Sequence, residues 1–224
     1  MLLIKSKVMK SNCGYFIVIE GLEGSGKSTI LRLIKKYLIL KNFIFKILTV
    51  RDPGGTFLGE SIRKIITNKN INFLSFKAEL LLFYAARVQL FEQVIQPALK
   101  KNICVLSDRF ELSTFAYQYG GRKINKEFII KLSKFCLNKF KPDLTFFLDI
   151  TPKECFNRIL KRNKIDRFEK ESFYFFQCVY DTYHEFISSM KNVICINVCK
   201  KSLNEIFNLI ISKLNNLIFN DESK

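Results

Sequence analysis

Along the chain, short apolar runs of strand length alternate with longer stretches whose apolar residues recur every three or four positions. Tyr15–Glu20 (YFIVIE) is the first such run; a glycine-rich stretch follows, and then STILRLIKKYL with helical spacing. The run Ile44–Val50 predicts a second strand, closed by Arg51-Asp52-Pro53-Gly54-Gly55, where proline and two glycines enforce a loop. Ala78–Leu99 predicts a long helix, and Ile103–Ser107 a third strand that delivers Asp108 and Arg109 to its C-terminal end. Leu144–Ile150 and Val193–Val198 are the fourth and fifth strands. Helical patterns lie around Lys126–Phe140, Lys153–Lys161, Glu171–Met190 and Leu203–Leu217. This alternation predicts an α/β fold, a five-stranded parallel sheet flanked by helices on both faces, with ligands beyond the carboxyl ends of the strands. No repeat, linker or low-complexity block interrupts the chain, so residues 1–224 are expected to form one domain, its core over about 15–217.

Composition narrows the class. The 224 residues are 48% hydrophobic and 25% charged, too apolar for a disordered chain. No apolar run reaches the roughly 18 residues of a spanning helix, and lysines interrupt the opening MLLIKSKVMK, which argues against secretion. Seven scattered cysteines without a CxxC fit neither a disulfide framework nor a zinc ribbon, and imply thiols in a reducing cytoplasm. The net charge of +17 would ordinarily raise nucleic acid or an anionic membrane as partner. Of the 37 basic residues, however, 28 are lysines spread over the whole length and nine are arginines. Lys, Ile, Asn and Phe share A/T-rich codons, so compositional drift accounts for the charge equally well, and neither partner is expected.

Gly21-Leu22-Glu23-Gly24-Ser25-Gly26-Lys27-Ser28 matches GxxxxGK[ST] between a predicted strand and a predicted helix, the setting a phosphate loop requires. Glycines let successive N–H groups and the helix N-terminus wrap phosphate oxygens; Lys27 would reach the β- and γ-phosphates and Ser28 a magnesium ion. Asp52-Pro53-Gly54-Gly55 fits DxxG and Asn163-Lys164-Ile165-Asp166 fits NKxD, so three GTPase signatures occur in order. The second and third are short and degenerate. A guanine-reading NKxD should leave a buried strand, whereas this one follows the helical, basic CFNRILKR.

Six segments in order, GLEGSGKS, RDPGGT, LLFYAARVQL, the Asp108-Arg109 pair followed by LSTFAYQYGGR, PDLTFFLDI and DRFEKESFYFF, resemble those of the bacterial thymidylate kinases, from about Tyr15 to Phe176. The resemblance implies a phosphate-loop nucleoside monophosphate kinase that makes dTDP from dTMP with ATP and magnesium, for dTTP synthesis, as a homodimer in the cytoplasm. Phe83 and Arg87 lie four apart on one helix face. Alone they read more readily as core plus surface; only the resemblance reverses this, making Phe83 a stacking ring for thymine and Arg87 a hydrogen-bond donor to the base. It places Thr114 and Gln118 on the pyrimidine edge and Tyr117 against the deoxyribose. Arg63 and Arg109, with Arg51 as a further candidate, match positions that hold the acceptor phosphate, a task suited to the guanidinium fork. Glu23 matches the acid near the sugar 3′-hydroxyl. Asp108 is placed to act on the magnesium shell; Asp52 is expected to contact the acceptor, with a place near the metal as its alternative.

The acceptor phosphate is already anionic at neutral pH, so no general base is needed, and the single histidine, His184, is expected to be structural. Catalysis reduces to in-line positioning and charge neutralisation. Lys27 supplies part of that charge. The loop carries no arginine between Gly21 and Gly26, so a further cation is expected from Arg158, Arg162 or Arg167, in a basic stretch over about 158–169 that resembles the family's lid. Three features depart from the pattern: Asp52 replaces the usual glutamate and is one methylene shorter, Phe110 follows the Asp-Arg pair where tyrosine or histidine is common, and the first fourteen residues have no counterpart, a start at Met9 fitting better.

Overall fold

A computed structural model of the chain describes residues 14–41, 46–71, 73–161 and 165–219. Five strands, β1 (Phe16–Glu20), β2 (Ile47–Arg51), β3 (Cys104–Asp108), β4 (Leu144–Asp149) and β5 (Val193–Asn197), form one sheet in the order β2-β3-β1-β4-β5. All four pairings are parallel. The strand β1 shows why both faces are covered. Ile17 and Ile19 project into one apolar cluster and Phe16 and Val18 into another, as strand alternation dictates, and all four are fully buried. Each such side chain is worth about 1.5–3 kcal/mol removed from water. The register sets Arg51 opposite Asp108, and Asp108 opposite Ile19, so the segments leaving β1, β2 and β3 emerge side by side.

The helices are α1 (Lys27–Leu40), α2 (Phe57–Thr67), α3 (Phe76–Leu90), α4 (Gln96–Lys100), α5 (Glu111–Thr114), α6 (Lys126–Leu137), α7 (Pro152–Leu160), α8 (Phe173–Ile187) and α9 (Leu203–Phe219). In α1, Ile30, Ile34 and Leu38 recur on the buried face. The expected strands are found, ending within a residue or so of the apolar runs; Ile44 and Phe45 lie outside the described residues. The single helix expected over Ala78–Leu99 is interrupted by a π-helical turn at Phe91–Ile95, where Gln96 N–H bonds back to Phe91 C=O. Pro97 supplies the reason: it lacks an N–H and its ring crowds the carbonyl four residues back, so the helix widens before it. A second π-helical turn, Phe115–Gly121, carries Tyr117 and Gln118. Periodicity did not predict α2. Its amphipathic pattern is capped by Thr56, whose hydroxyl accepts from Gly59 N–H at 2.9 Å. Among the described cysteines all six are free thiols, and no described helix is long and apolar enough to cross a membrane.

Candidate active site

The glycine-rich loop follows β1 directly. A side chain at Gly21 would meet the Leu148 carbonyl at 2.6 Å, and Gly26, at φ 94°, caps α1 in the left-handed region. Lys27 Nζ donates to the carbonyls of Gly21 (3.0 Å) and Leu22 (2.7 Å), while Ser28 Oγ donates to Asp108 Oδ2 at 2.8 Å. Burial, followed by the neighbouring Arg109, lowers the Lys27 pKa to about 8, against partial support from Asp108 and Glu23. Arg158, on the last turn of α7, donates to the Gly24 carbonyl at 3.0 Å and to Glu154 at 3.0 Å. The structure therefore brings Arg158 to the loop.

Arg109 sits where β3 ends, at φ 69°, a backbone conformation costly for a non-glycine residue and typical of functional positions. Its guanidinium donates to Glu23 (2.7 Å), Ser113 Oγ (3.0 Å) and the hydroxyls of Tyr183 and Tyr117 (both 3.2 Å). Burial raises the Glu23 pKa, but Arg109 and Lys27 outweigh it, and the carboxyl is held below its ordinary range. Below this cluster lies Glu20, fully buried, accepting from Phe110 N–H, Ser113 and Tyr183. Its desolvation raises its pKa despite Arg109.

Two adjoining cavities meet here. One is lined by the loop, Lys27, Ser28, Arg51 and Asp108. The other is lined by Phe83, Arg87, Thr114, Tyr117, Gln118 and Phe168. Glu23, Asp52, Arg63, Arg109 and Asp166 line both. Arg63 donates to the Pro53 carbonyl at 3.1 Å, and burial and the charges of Arg51 and Arg109 lower its pKa, the signature of cations crowded for an anion. In the second cavity four buried polar atoms have no hydrogen-bond partner among the described residues: Asp52 Oδ1, Arg87 Nη1, Thr114 Oγ1 and Gln118 Oε1. Buried polar groups are nearly always paired, so four orphans around one cavity mark a surface shaped for a polar ligand.

Some expected residues sit differently. Asp52 is drawn to Arg87, accepting from its Nε at 2.5 Å with both side chains buried, and it lines both cavities. Arg51 pairs with Glu60 at 3.1 Å, half exposed. Arg167 donates to the Ile66 carbonyl and to Glu79, so the structure does not bring it to the phosphate loop. Arg162 and Met9 lie outside the described residues. His184 contacts Asp149 at 3.2 Å, beside Tyr180, away from both cavities. Phe110 packs edge-on against Phe16, core rather than site. Glu20, Glu79, Ser113, Asp166 and Tyr183 escaped the sequence reading. A carboxylate closing an apolar strand was the available signal for Glu20, and a carboxylate one helical turn before Phe83 the signal for Glu79.

An all-parallel sheet that ends in a glycine-rich loop with a buried lysine, joined to a polar cavity through shared arginines, defines a phosphate-loop nucleotide phosphotransferase. The family model described as thymidylate kinase matches residues 19–210. The chain is 48% identical over 211 residues to the thymidylate kinase of Legionella pneumophila (strain Paris), covering 94% of this chain and 98% of that protein. It is 46% identical over 189 residues to that of Buchnera aphidicola subsp. Baizongia pistaciae, covering 84% and 89%, and 45% identical over 185 residues to that of Thermosipho melanesiensis, covering 83% and 90%. The chain belongs to the thymidylate kinase family.

Proposed function

We propose that the chain transfers the terminal phosphoryl group of ATP to dTMP, giving dTDP and ADP, in the cytoplasm. The observation that carries this reading is the junction of the two cavities: a phosphate loop on one side, four orphaned polar atoms and an aromatic ring on the other, and arginines where they meet. A nucleotide monophosphate spans that distance with its base in one cavity and its phosphate at Arg63 and Arg109. Thymine suits the base side, with Phe83 against its face, Arg87 Nη1 donating to O4 and Gln118 Oε1 accepting from N3–H.

In the reaction an oxygen of the dTMP phosphate forms the new O–P bond as the bond from the γ-phosphorus to the β–γ bridging oxygen breaks, and ADP leaves with that electron pair. Arg63 and Arg109 hold the acceptor phosphate in line. Lys27 exchanges its loop carbonyls for phosphate oxygens, and Arg158 swings from Gly24 toward charge developing on the transferred group. Glu23, fixed by Arg109 and by the Tyr117 hydroxyl at 2.5 Å, faces the sugar. The pair Ser28 and Asp108 offers the hard oxygens magnesium prefers, an ion that usually keeps water and substrate phosphates as further ligands. When bound, magnesium would neutralise charge on the β- and γ-phosphates. Two copies pair in this reading, and Phe57 on α2 and Phe135 on α6, 92% and 87% exposed, are large apolar side chains for such a contact to cover.

The test is ADP release with ATP and magnesium across dTMP, dUMP, dCMP, dGMP, UMP and no acceptor, repeated with Arg87→Ala. Turnover dependent on dTMP and lost in the variant is expected. Acceptor-independent hydrolysis, or preference for a guanine nucleotide or polynucleotide, would overturn it.

A further inference from the structure

Glu79 lies on α3 one turn before Phe83 and two before Arg87, on the same face, and is fully buried. Its Oε1 accepts from Gln118 Nε2 at 2.7 Å and from Arg122 Nε at 3.1 Å; its Oε2 faces Arg122 Nη2 and Arg167. Guanidinium groups have only donors, so both carboxylate oxygens are committed as acceptors. The Gln118 amide consequently has one available orientation: NH2 toward Glu79, carbonyl oxygen on the other side. That oxygen is the buried, unpartnered atom left for the cavity Gln118 lines. Arg122 anchors the arrangement in turn. Its guanidinium lies over the rings of Phe76 (4.6 Å), Phe175 (4.7 Å) and Phe168 (5.5 Å) and pairs with Glu171 at 2.7 Å.

We infer that Glu79 is a positioning residue that sets the hydrogen-bonding polarity of the base site, fixing Gln118 as an acceptor and so selecting pyrimidines that carry N3–H over those that do not. The inference rests on the proposed reading of the base cavity. Thymine and uracil present a donor at N3 and an acceptor at O4; cytosine presents an acceptor at N3 and a donor amino group at C4. Against a fixed acceptor beside a fixed donor, Arg87 Nη1, cytosine mispairs at both positions, and a buried mispair discriminates far more strongly than a missing contact. With an amide in place of Glu79, its NH2 can donate to Gln118, and the Gln118 amide turns to offer its own NH2 to the cavity.

The experiment compares kcat/KM for dTMP and dCMP in the wild type, Glu79→Gln, Gln118→Met and the double variant. Glu79→Gln is expected to lower the dTMP-to-dCMP ratio by about tenfold or more, and to lower it no further in the Gln118→Met background. A ratio unchanged in Glu79→Gln while both substrates lose rate equally marks a merely structural role and overturns the inference. So does the same fall in ratio with and without Gln118. Should Glu79→Gln fail to fold, nitrogen-15-labelled wild type decides: a Gln118 side-chain amide proton protected from solvent exchange before and after dTMP addition supports the fixed orientation, and rapid exchange without nucleotide overturns it. A wild type that uses dCMP as readily as dTMP brings down the proposed base site as well; a dTMP-selective wild type with an insensitive Glu79→Gln brings down this inference alone.

Discussion

Around the base cavity, four buried polar atoms have no partner among the described residues, and three of them belong to side chains braced by bonds on the other side: Arg87 and Asp52 by each other, Gln118 by Glu79. Around the phosphate loop the cations are already engaged, Lys27 on the carbonyls of Gly21 and Leu22, Arg158 on Gly24, Arg109 on Glu23. The first region is preorganised, so the right base gains hydrogen bonds without breaking any, and a wrong base leaves orphans in place. The second must exchange partners, so phosphate binding and local rearrangement are one event there. Discrimination belongs to the rigid half and the chemical step to the half that rearranges.

The largest test of that division is Lys27→Met. It should lower kcat about a thousandfold while leaving the dTMP-to-dCMP ratio and the melting temperature close to wild type; steady-state kinetics and thermal denaturation check both. Arg87→Met should act on the other half, lowering the melting temperature and the dTMP-to-dCMP ratio together with dTMP turnover. Stranding the buried Asp52 carboxylate should cost about 3–5 kcal/mol of stability in urea titrations and raise KM for dTMP, and adding Asp52→Leu should restore stability but not dTMP affinity. Recovery of both would show that Arg87 serves the core and not the base. Phe83→Ala is smaller, about 1–3 kcal/mol in dTMP binding, with KM for ATP unchanged, since Phe83 lines only the base cavity.

The same contrast governs how legible the molecule was in its sequence. The strands were readable because each is a short apolar run, buried along most of β1, β3 and β4 and partly along the edge strands β2 and β5, and the phosphate loop because close backbone approach demands glycine at fixed spacing. Phe83, Arg87 and Gln118 were assigned through resemblance, and they do share a cavity. Their braces were not legible. Glu79 and Gln118 are 39 residues apart, Glu20 and Tyr183 are 163 apart, and no periodicity carries a pairing of that range. The π-helical turn before Pro97 was not legible because the apolar spacing runs unbroken from Ala78 to Leu99 and does not register a local widening of the backbone.

The smallest effect tests the rearranging half through pH. The Lys27 pKa is pushed down to about 8 by burial and then by Arg109, below the ordinary 10.5. The ammonium is the form that binds phosphate oxygens, so activity should fall as pH rises through the folded value. Between pH 7 and 9 kcat/KM for ATP should drop about tenfold. At saturating ATP, kcat should drop less, because bound phosphates hold the proton on. Stability moves the other way. Between about 8 and 10.5 the unfolded chain keeps a proton on Lys27 that the folded chain releases, so the contribution of this group to folding improves with pH over that window. Loss of kcat/KM at pH 9 that tracks a falling melting temperature would therefore point to unfolding. Loss at constant or rising melting temperature, with the dTMP-to-dCMP ratio flat, locates the titration at the phosphate loop and leaves the rigid half untouched.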